Sequence, residues 1–277
     1  MFDFAFMQRA LAAAILVGLL CGILGFFVVL RRLAFIGVGI SHSAIGGVAI
    51  GILAGWNPLV TGAVFAIAVA LGIALVSRSD NISEDTVIGV FFSGSMALGV
   101  VLFSMKSGYQ QDLFSYLFGN VLAISTVELV ALACASAVIM AIMLLTFKEH
   151  MLISFDEEVA AAYGHKVLAM NVLLLVLLAL TVVIGVRLVG LLLIQALLVV
   201  PAAIAALWAL NFRWQVLLAA SIGALSGVVG LVLAYHLDVA AGGSIVMVAV
   251  ALFFVTLLAH FIRRQFRTPP PVSLDEP

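Results

Sequence analysis

At 277 residues, with 66% of them hydrophobic, 9% charged and a mean hydropathy of +1.36, the chain lies far outside the composition of soluble domains and reads as an all-α, polytopic membrane protein. At roughly 20 residues per crossing it has room for about eight or nine membrane helices and short loops. That excludes a sizeable soluble domain, so any chemistry on a water-soluble substrate falls to a partner. The formal net charge of −1 says little, because orientation is set by where Lys and Arg fall. Cys21 and Cys134 both lie in apolar runs and suit packing better than a disulfide or a metal clip.

The opening MFDFAFMQR carries one basic residue, Arg9, and reads as an interfacial lead-in to an uncleaved first span, residues 10–30, ending at Arg31 and Arg32. A paired arginine marks the cytoplasmic side. The second span, from residue 35 to about 53, returns outward and stops at Trp56-Asn57-Pro58. The third, 59–76, comes back to Arg78 and the polar loop SRSDNISED, where Ser83 and Thr86 are placed to cap the fourth span, 86–105. After KSGYQQD comes LFSYLFGN, too short to span and read as an interfacial or re-entrant helix. Span five, residues 121–147, carries Glu128 near its outer part and gives way to Lys148, Glu149 and His150, read as a cytoplasmic loop. Beyond the polar segment 154–166, span six covers 167–186 and reaches Arg187, and span seven, 190–210, contains Gln195 and Pro201. Span eight, 216–234, ends at YHLD, and span nine, 243–262, leads to RRQFR. This trace puts the N-terminus outside and the C-terminus inside, with all of the 12 Lys and Arg inside except Arg9, Lys106 and Arg187, as the positive-inside rule asks. Residues 1–267 form one transmembrane domain, and the proline-rich, acidic tail 268–277 reads as disordered.

The second span carries two signals. Gly39, Ser43, Gly47, Gly51 and Gly55 recur every fourth residue, which on a helix stacks small side chains into a face that another backbone can approach. His42 sits beside that face, and an ionisable group at such depth must look toward protein or water. It either lines a polar pathway or hydrogen-bonds a neighbouring carbonyl. Gln195, on the same span as Pro201, is an oxygen donor that either lines a pathway or bonds between helices, and His236 with Asp238 at the end of span eight are further candidates or simply solvated. His150 and His165 are expected in loops, and His260 beside the terminal arginines.

The segment SFDEEVAAAYGHK, residues 154–166, reads as a short amphipathic helix with an acidic start and a glycine stop, either a solvated connector or a docking element. Its pattern, Phe155, Asp156, Glu157, Glu158, Ala161 and Gly164, resembles the coupling segment by which ATP-binding-cassette importer permeases contact their ATPases. The resemblance is broad. SEDTVIGVFFSGSMALGVVL, LFSYLFGN, SFDEEVAAAYG, RLVGLLLIQALLVVPAA and the YHLD region, in that order, resemble the zinc and manganese branch of these metal-importer permeases, and FIGVGISHSAIGG is similar to the family's second-span signature.

That resemblance implies a type II-like importer transmembrane domain in a bacterial-type inner membrane, working by alternating access as a dimer with a second permease copy and two cytoplasmic ATPase subunits that hydrolyse ATP. An extracytoplasmic binding protein would hand over a divalent metal, zinc first, with manganese or iron as alternatives. The resemblance further implies no permanently bound cofactor, no nucleic-acid partner and a lipid surround. The family often has Asp four residues before the second-span histidine; here that position is Val38, so His42 alone does not define a site. Weak sites suit transport, because a closed four-ligand shell releases its ion slowly. A gradient-driven transporter or channel is the other class, and it would need a midmembrane carboxylate, for which Glu128 is the only candidate. An intramembrane enzyme would need a nucleophile with its base, and no such constellation appears in the sequence.

Overall fold

The computed structural model describes residues 4–77, 82–105, 123–209 and 211–265, which form eleven α-helices, with no strand among the described residues. They are α1 (Ala5–Leu30), α2 (Ile36–Ala54), α3 (Pro58–Val76), α4 (Glu84–Ser104), α5 (Thr126–Leu145), α6 (Phe147–Phe155), α7 (Glu157–Ala162), α8 (Val167–Val189), α9 (Leu191–Trp208), α10 (Phe212–Leu237) and α11 (Ala241–Gln265). Helices satisfy every backbone N–H and C=O within one segment, which is what a hydrocarbon environment demands. Eight of them, α1 to α5, α8, α10 and α11, are long and apolar enough to cross a membrane, whereas α9, over Leu193–Trp208, is shorter. The count meets the lower of the two expected, and the seventh expected span is the one that falls short. LFSYLFGN, Lys106, Arg78, the tail 268–277 and the side chain of Arg187 lie outside the described residues.

Polar residues at the helix starts fix the boundaries. Asn57 Oδ1 accepts from the Leu59 N–H at 3.0 Å with Pro58 in the first turn, and Asn211 Oδ1 accepts from the Trp214 N–H at 3.0 Å. Ser83 Oγ accepts from the Thr86 N–H at 3.3 Å, the cap expected there. Ser125 and Glu128 form a capping box, so Glu128 sits in the first turn of α5 and is engaged with Ser125. The residues after α5 depart from expectation. Lys148, Glu149 and His150 are not a loop but the first turns of α6, which follows α5 after the single residue Thr146. Likewise, 154–166 is not one helix: it holds the end of α6, a break at Asp156 (φ −158°) and the six-residue α7.

The centre of the bundle is α1, packed on α10, α9, α5 and α8. Ala14, Gly18 and Gly22 of α1 face Gly227, Gly223 and Ala219 of α10. A Cβ added at Gly18 would lie 2.5 Å from the Gly223 carbonyl, and one at Gly22 would lie 2.5 Å from the Ala219 oxygen. One turn on, Gly25 lies against the Leu198 carbonyl of α9. The seam is an i, i+4 row on both helices, and it places the two backbones in contact.

The row on α2 divides between two neighbours. Gly39 faces Ile88 of α4, Gly47 lies under Phe65 and the Thr61 carbonyl of α3 (2.6 Å from an added Cβ), and Gly51 meets Thr61 and Pro58. Ser43 is buried, its Oγ donating to the Gly39 carbonyl at 2.6 Å. Gly55 does not belong to this packing face: nothing lies within 4 Å of its added Cβ, and its φ of +70° makes it the left-handed cap of α2. Between α1 and α2 the chain reverses in five residues, with Arg32 at φ 61° where a glycine is usual and the Leu33 N–H donating to the Val28 carbonyl at 2.8 Å.

Gly18→Val should destabilise the fold by about 2–3 kcal/mol through overpacking against α10. Gly94→Val, at a glycine whose Cβ meets nothing within 4 Å, should leave stability unchanged. Denaturant or thermal unfolding of the two purified variants makes the comparison, and equal stability would remove the seam from the account.

Candidate transport site

The site sits where α2 and α9 touch. Ser41 is fully buried on α2, and His42 and Gln195 are half-buried. The Gln195 side-chain amide donates to Ser41 Oγ and lies 3.0 Å from His42 Nδ1, while Ser41 Oγ donates to the Val38 carbonyl at 3.1 Å. His42 Nδ1 is also 3.1 Å from that same carbonyl, and Phe92 of α4 closes the ring from one side at 5.1 Å. The ring proton decides which contact is a hydrogen bond. With the proton on Nδ1, the imidazole donates to Val38 O and Nε2 presents a lone pair; without it, Nδ1 accepts from Gln195 and Nε2 becomes a donor. Only the first tautomer offers a ligand to a cation. Val38 therefore supplies by its backbone carbonyl a partner that its side chain lacks.

A groove of about 360 Å³ lies between the starts of α2 and α4, walled by Phe35, Val38, Gly39, Ile88 and Phe92 and bearing one carboxylate, Asp85; Val38 and Phe92 also contact His42, which does not itself line the groove. Sequence reading passed over Asp85 because it belongs to the polar loop, 47 positions from Val38; the signal is only that both fall at helix starts that pair. His236 and Asp238 do not join this site. Both are exposed at the far end of α10, the end where Arg9 donates to Thr126 at 3.2 Å. Among the described residues no three His, Cys, Asp or Glu side chains come together to hold a metal ion.

The opposite end is organised by Arg31. Its Nε donates to Ser154 Oγ at 2.8 Å, one terminal nitrogen to Asn171 Oδ1 at 2.6 Å and the other to the His150 carbonyl at 3.1 Å. Asn171 in turn donates to Glu157 Oε1 at 3.0 Å. Partial burial lowers the Arg31 pKa from its ordinary value, opposed by the charges of Glu157 and Glu84. These groups border a cavity of about 510 Å³ that also includes Ser77. Of the expected coupling residues, Asp156 caps α7 through the Val159 N–H at 2.9 Å, Gly164 takes the left-handed turn at φ +85°, and Phe155, Glu158 and Ala161 are exposed. Phe155 also packs edge-on against Phe212 at 5.1 Å.

His150 is not solvated, as its expected loop position would have made it, but fully buried on α6 beside Phe27. Neither ring nitrogen has a hydrogen-bond partner. Burial, reinforced by the nearby Arg31 cation and opposed by Glu149, brings its pKa down to about 4.

A helical bundle with eight apolar spans, a half-buried imidazole among them and an acidic helical turn at one end is the build of a multi-pass membrane protein. The chain matches the ABC 3 transport family model over residues 3–260 and belongs to that family; it is a multi-pass protein of the bacterial inner membrane. It is 36% identical to the manganese transport system membrane protein MntC of Listeria monocytogenes over 92% of this chain and 91% of that one. It is also 36% identical to the chelated iron transport system membrane protein YfeD of Yersinia pestis, over 95% of this chain and 88% of the relative. Its fold is similar to PsaBC of Streptococcus pneumoniae, solved in complex with a Fab, with a TM-score of 0.81 at 36% identity over 91% of each chain.

The buried His150 predicts an acid sensitivity. Its native pKa is about 4 and its ordinary value 6.5, so between those pH values the unfolded chain binds a proton the folded chain refuses, and stability falls as pH drops from 6.5 toward 4. His150→Phe, which keeps a ring against Phe27, should flatten that part of the pH–stability profile. An unchanged slope in the variant would assign the sensitivity elsewhere.

Proposed function

We propose that this chain is the permease subunit of an ATP-driven importer for a divalent first-row transition metal, with manganese as the leading cargo, iron next, and zinc, which the sequence resemblance put first, as the third. Two copies work by alternating access with a cytoplasmic ATPase dimer, and an extracytoplasmic metal-binding protein delivers the ion. The observation that carries the reading is the half-buried His42–Gln195 pair at the α2–α9 contact, in a chain whose relatives, named for manganese and chelated iron transport, align over more than nine-tenths of its length.

The chemistry of the site supports the order of metals. One imidazole with hydroxyl, amide and backbone carbonyl oxygens nearby suits Mn²⁺ and Fe²⁺, while zinc favours a compact shell of nitrogen and sulfur. A site this open holds an ion weakly, as a pathway must. ATP as the energy source fits the engagement of Glu128: the carboxylate that a gradient-driven mechanism would use is occupied as a helix cap.

Uptake of Mn²⁺, Fe²⁺ and Zn²⁺, measured separately in cells lacking this chain and then complemented, tests the reading. Complementation should restore Mn²⁺ uptake, and His42→Ala should lower it at least about tenfold. Restoration of zinc alone would reassign the cargo, and full uptake by His42→Ala would remove that residue from the path.

A further inference from the structure

The Arg31 cluster is placed where a force on α7 would enter the membrane helices. The outer surface of the α6–α7 segment is open: Phe155 is 60% exposed and Tyr163 77% exposed, whereas Ala160 is fully buried against the bundle. Covalently, the segment hangs from α5 through Thr146 and from α8 through the turn at residues 163–166. Among the described residues, the side-chain hydrogen bonds between it and the long helices pass through two residues, Arg31 at the end of α1 and Asn171 in the second turn of α8.

Both helices lead to the His42 site. α8 ends at Gly190, whose φ of 91° and ψ of 158° only glycine adopts readily, and α9 begins at the next residue without a loop. α9 carries Gln195, which touches Ser41 and His42. α1 reaches the same helix from the side, where Gly25 lies against the Leu198 carbonyl. A displacement of the α6–α7 segment thus reaches α9 by two hydrogen-bonded routes, one through Asn171 along α8 and one through Arg31 along α1, beside the apolar contacts of Phe155 with Phe212 and of Phe27 with His150. A guanidinium suits the junction because its planar fork donates in three directions at once, which a lysine ammonium on a flexible stem does not reproduce.

We propose that Arg31, through its hydrogen bonds to Ser154, Asn171 and the His150 carbonyl, is the positioning residue that transmits the ATPase stroke from α6–α7 to the His42–Gln195 site. This rests on the reading of the chain as an ATPase-driven permease. Arg31 touches neither cargo nor nucleotide, so its loss shows as uncoupling and not as loss of either activity by itself.

The test uses the complete complex, this permease with its ATPase and binding protein, reconstituted in liposomes with Mn²⁺. The quantity read is Mn²⁺ accumulated per ATP hydrolysed. Arg31→Gln and Arg31→Lys should copurify with the ATPase and keep its basal hydrolysis, while the ratio falls about tenfold. Asn171→Ala keeps Arg31 bonded to Ser154 and to the His150 carbonyl and so tests the link by itself; it should lower the ratio about threefold to tenfold. If the Arg31 variants fail to assemble, the Asn171→Ala ratio decides. A wild-type ratio in Arg31→Gln, or in Asn171→Ala where Arg31 variants do not assemble, overturns the proposal, as does rescue by Arg31→Lys. If the wild-type complex itself shows no ATP-dependent accumulation, the functional reading fails and not this assignment.

Discussion

Gly18 and Gly223 bring the backbones of α1 and α10 into direct contact, and the placement of the other helices depends on that approach. In lipid the hydrophobic effect does not drive one apolar helix against another, so association depends on close packing and hydrogen bonding, which small residues permit. The Ala14-Gly18-Gly22 row supplies that contact over about two turns, and the same helix then offers Gly25 to α9. With α1 held on both sides, its last residue is fixed in space. Arg31 is presented to α6 and α8 by a five-residue reversal that accepts a left-handed arginine at position 32.

The His42 site inherits its position from the same frame. α2 is held between α3 and α4 by Gly39, Gly47 and Gly51, and α9 by α1 and α10, so the Gln195 amide and the His42 ring meet because two independently packed helices meet. The ring has two possible proton placements: with the proton on Nδ1 it donates to Val38 O and leaves the Nε2 lone pair free, and with Nδ1 bare it accepts from Gln195.

Much of the fold was legible because the signals are local. Runs of apolar residues at bilayer length gave the spans, Ser83 gave a helix start, and the break read at Arg187 falls a few residues before the actual one, which Gly190 makes after Val189. The α1–α10 seam was also written as i, i+4 rows, yet a row does not name its partner, and attention fell on the similar row in α2. Gly55 shows the converse error: spacing placed it in a packing row, but its φ of +70° at the end of α2 is what requires glycine.

What composition could not show is pairing across distance. Ser154 and Asn171 lie 123 and 140 positions from Arg31, and Gln195 lies 153 from His42, so each bond exists only once the bundle has closed. His150 follows the same logic. It sits among charged neighbours in a polar stretch, and only the packing of α6 under Phe27 buries it.

The central claim is that ATP, not an ion gradient, drives this permease, and sealed membrane vesicles containing it and its ATPase test that most directly. Mn²⁺ uptake should require ATP on the ATPase side and persist when a protonophore collapses the proton gradient. Uptake that continues without ATP and stops with the protonophore would contradict the account.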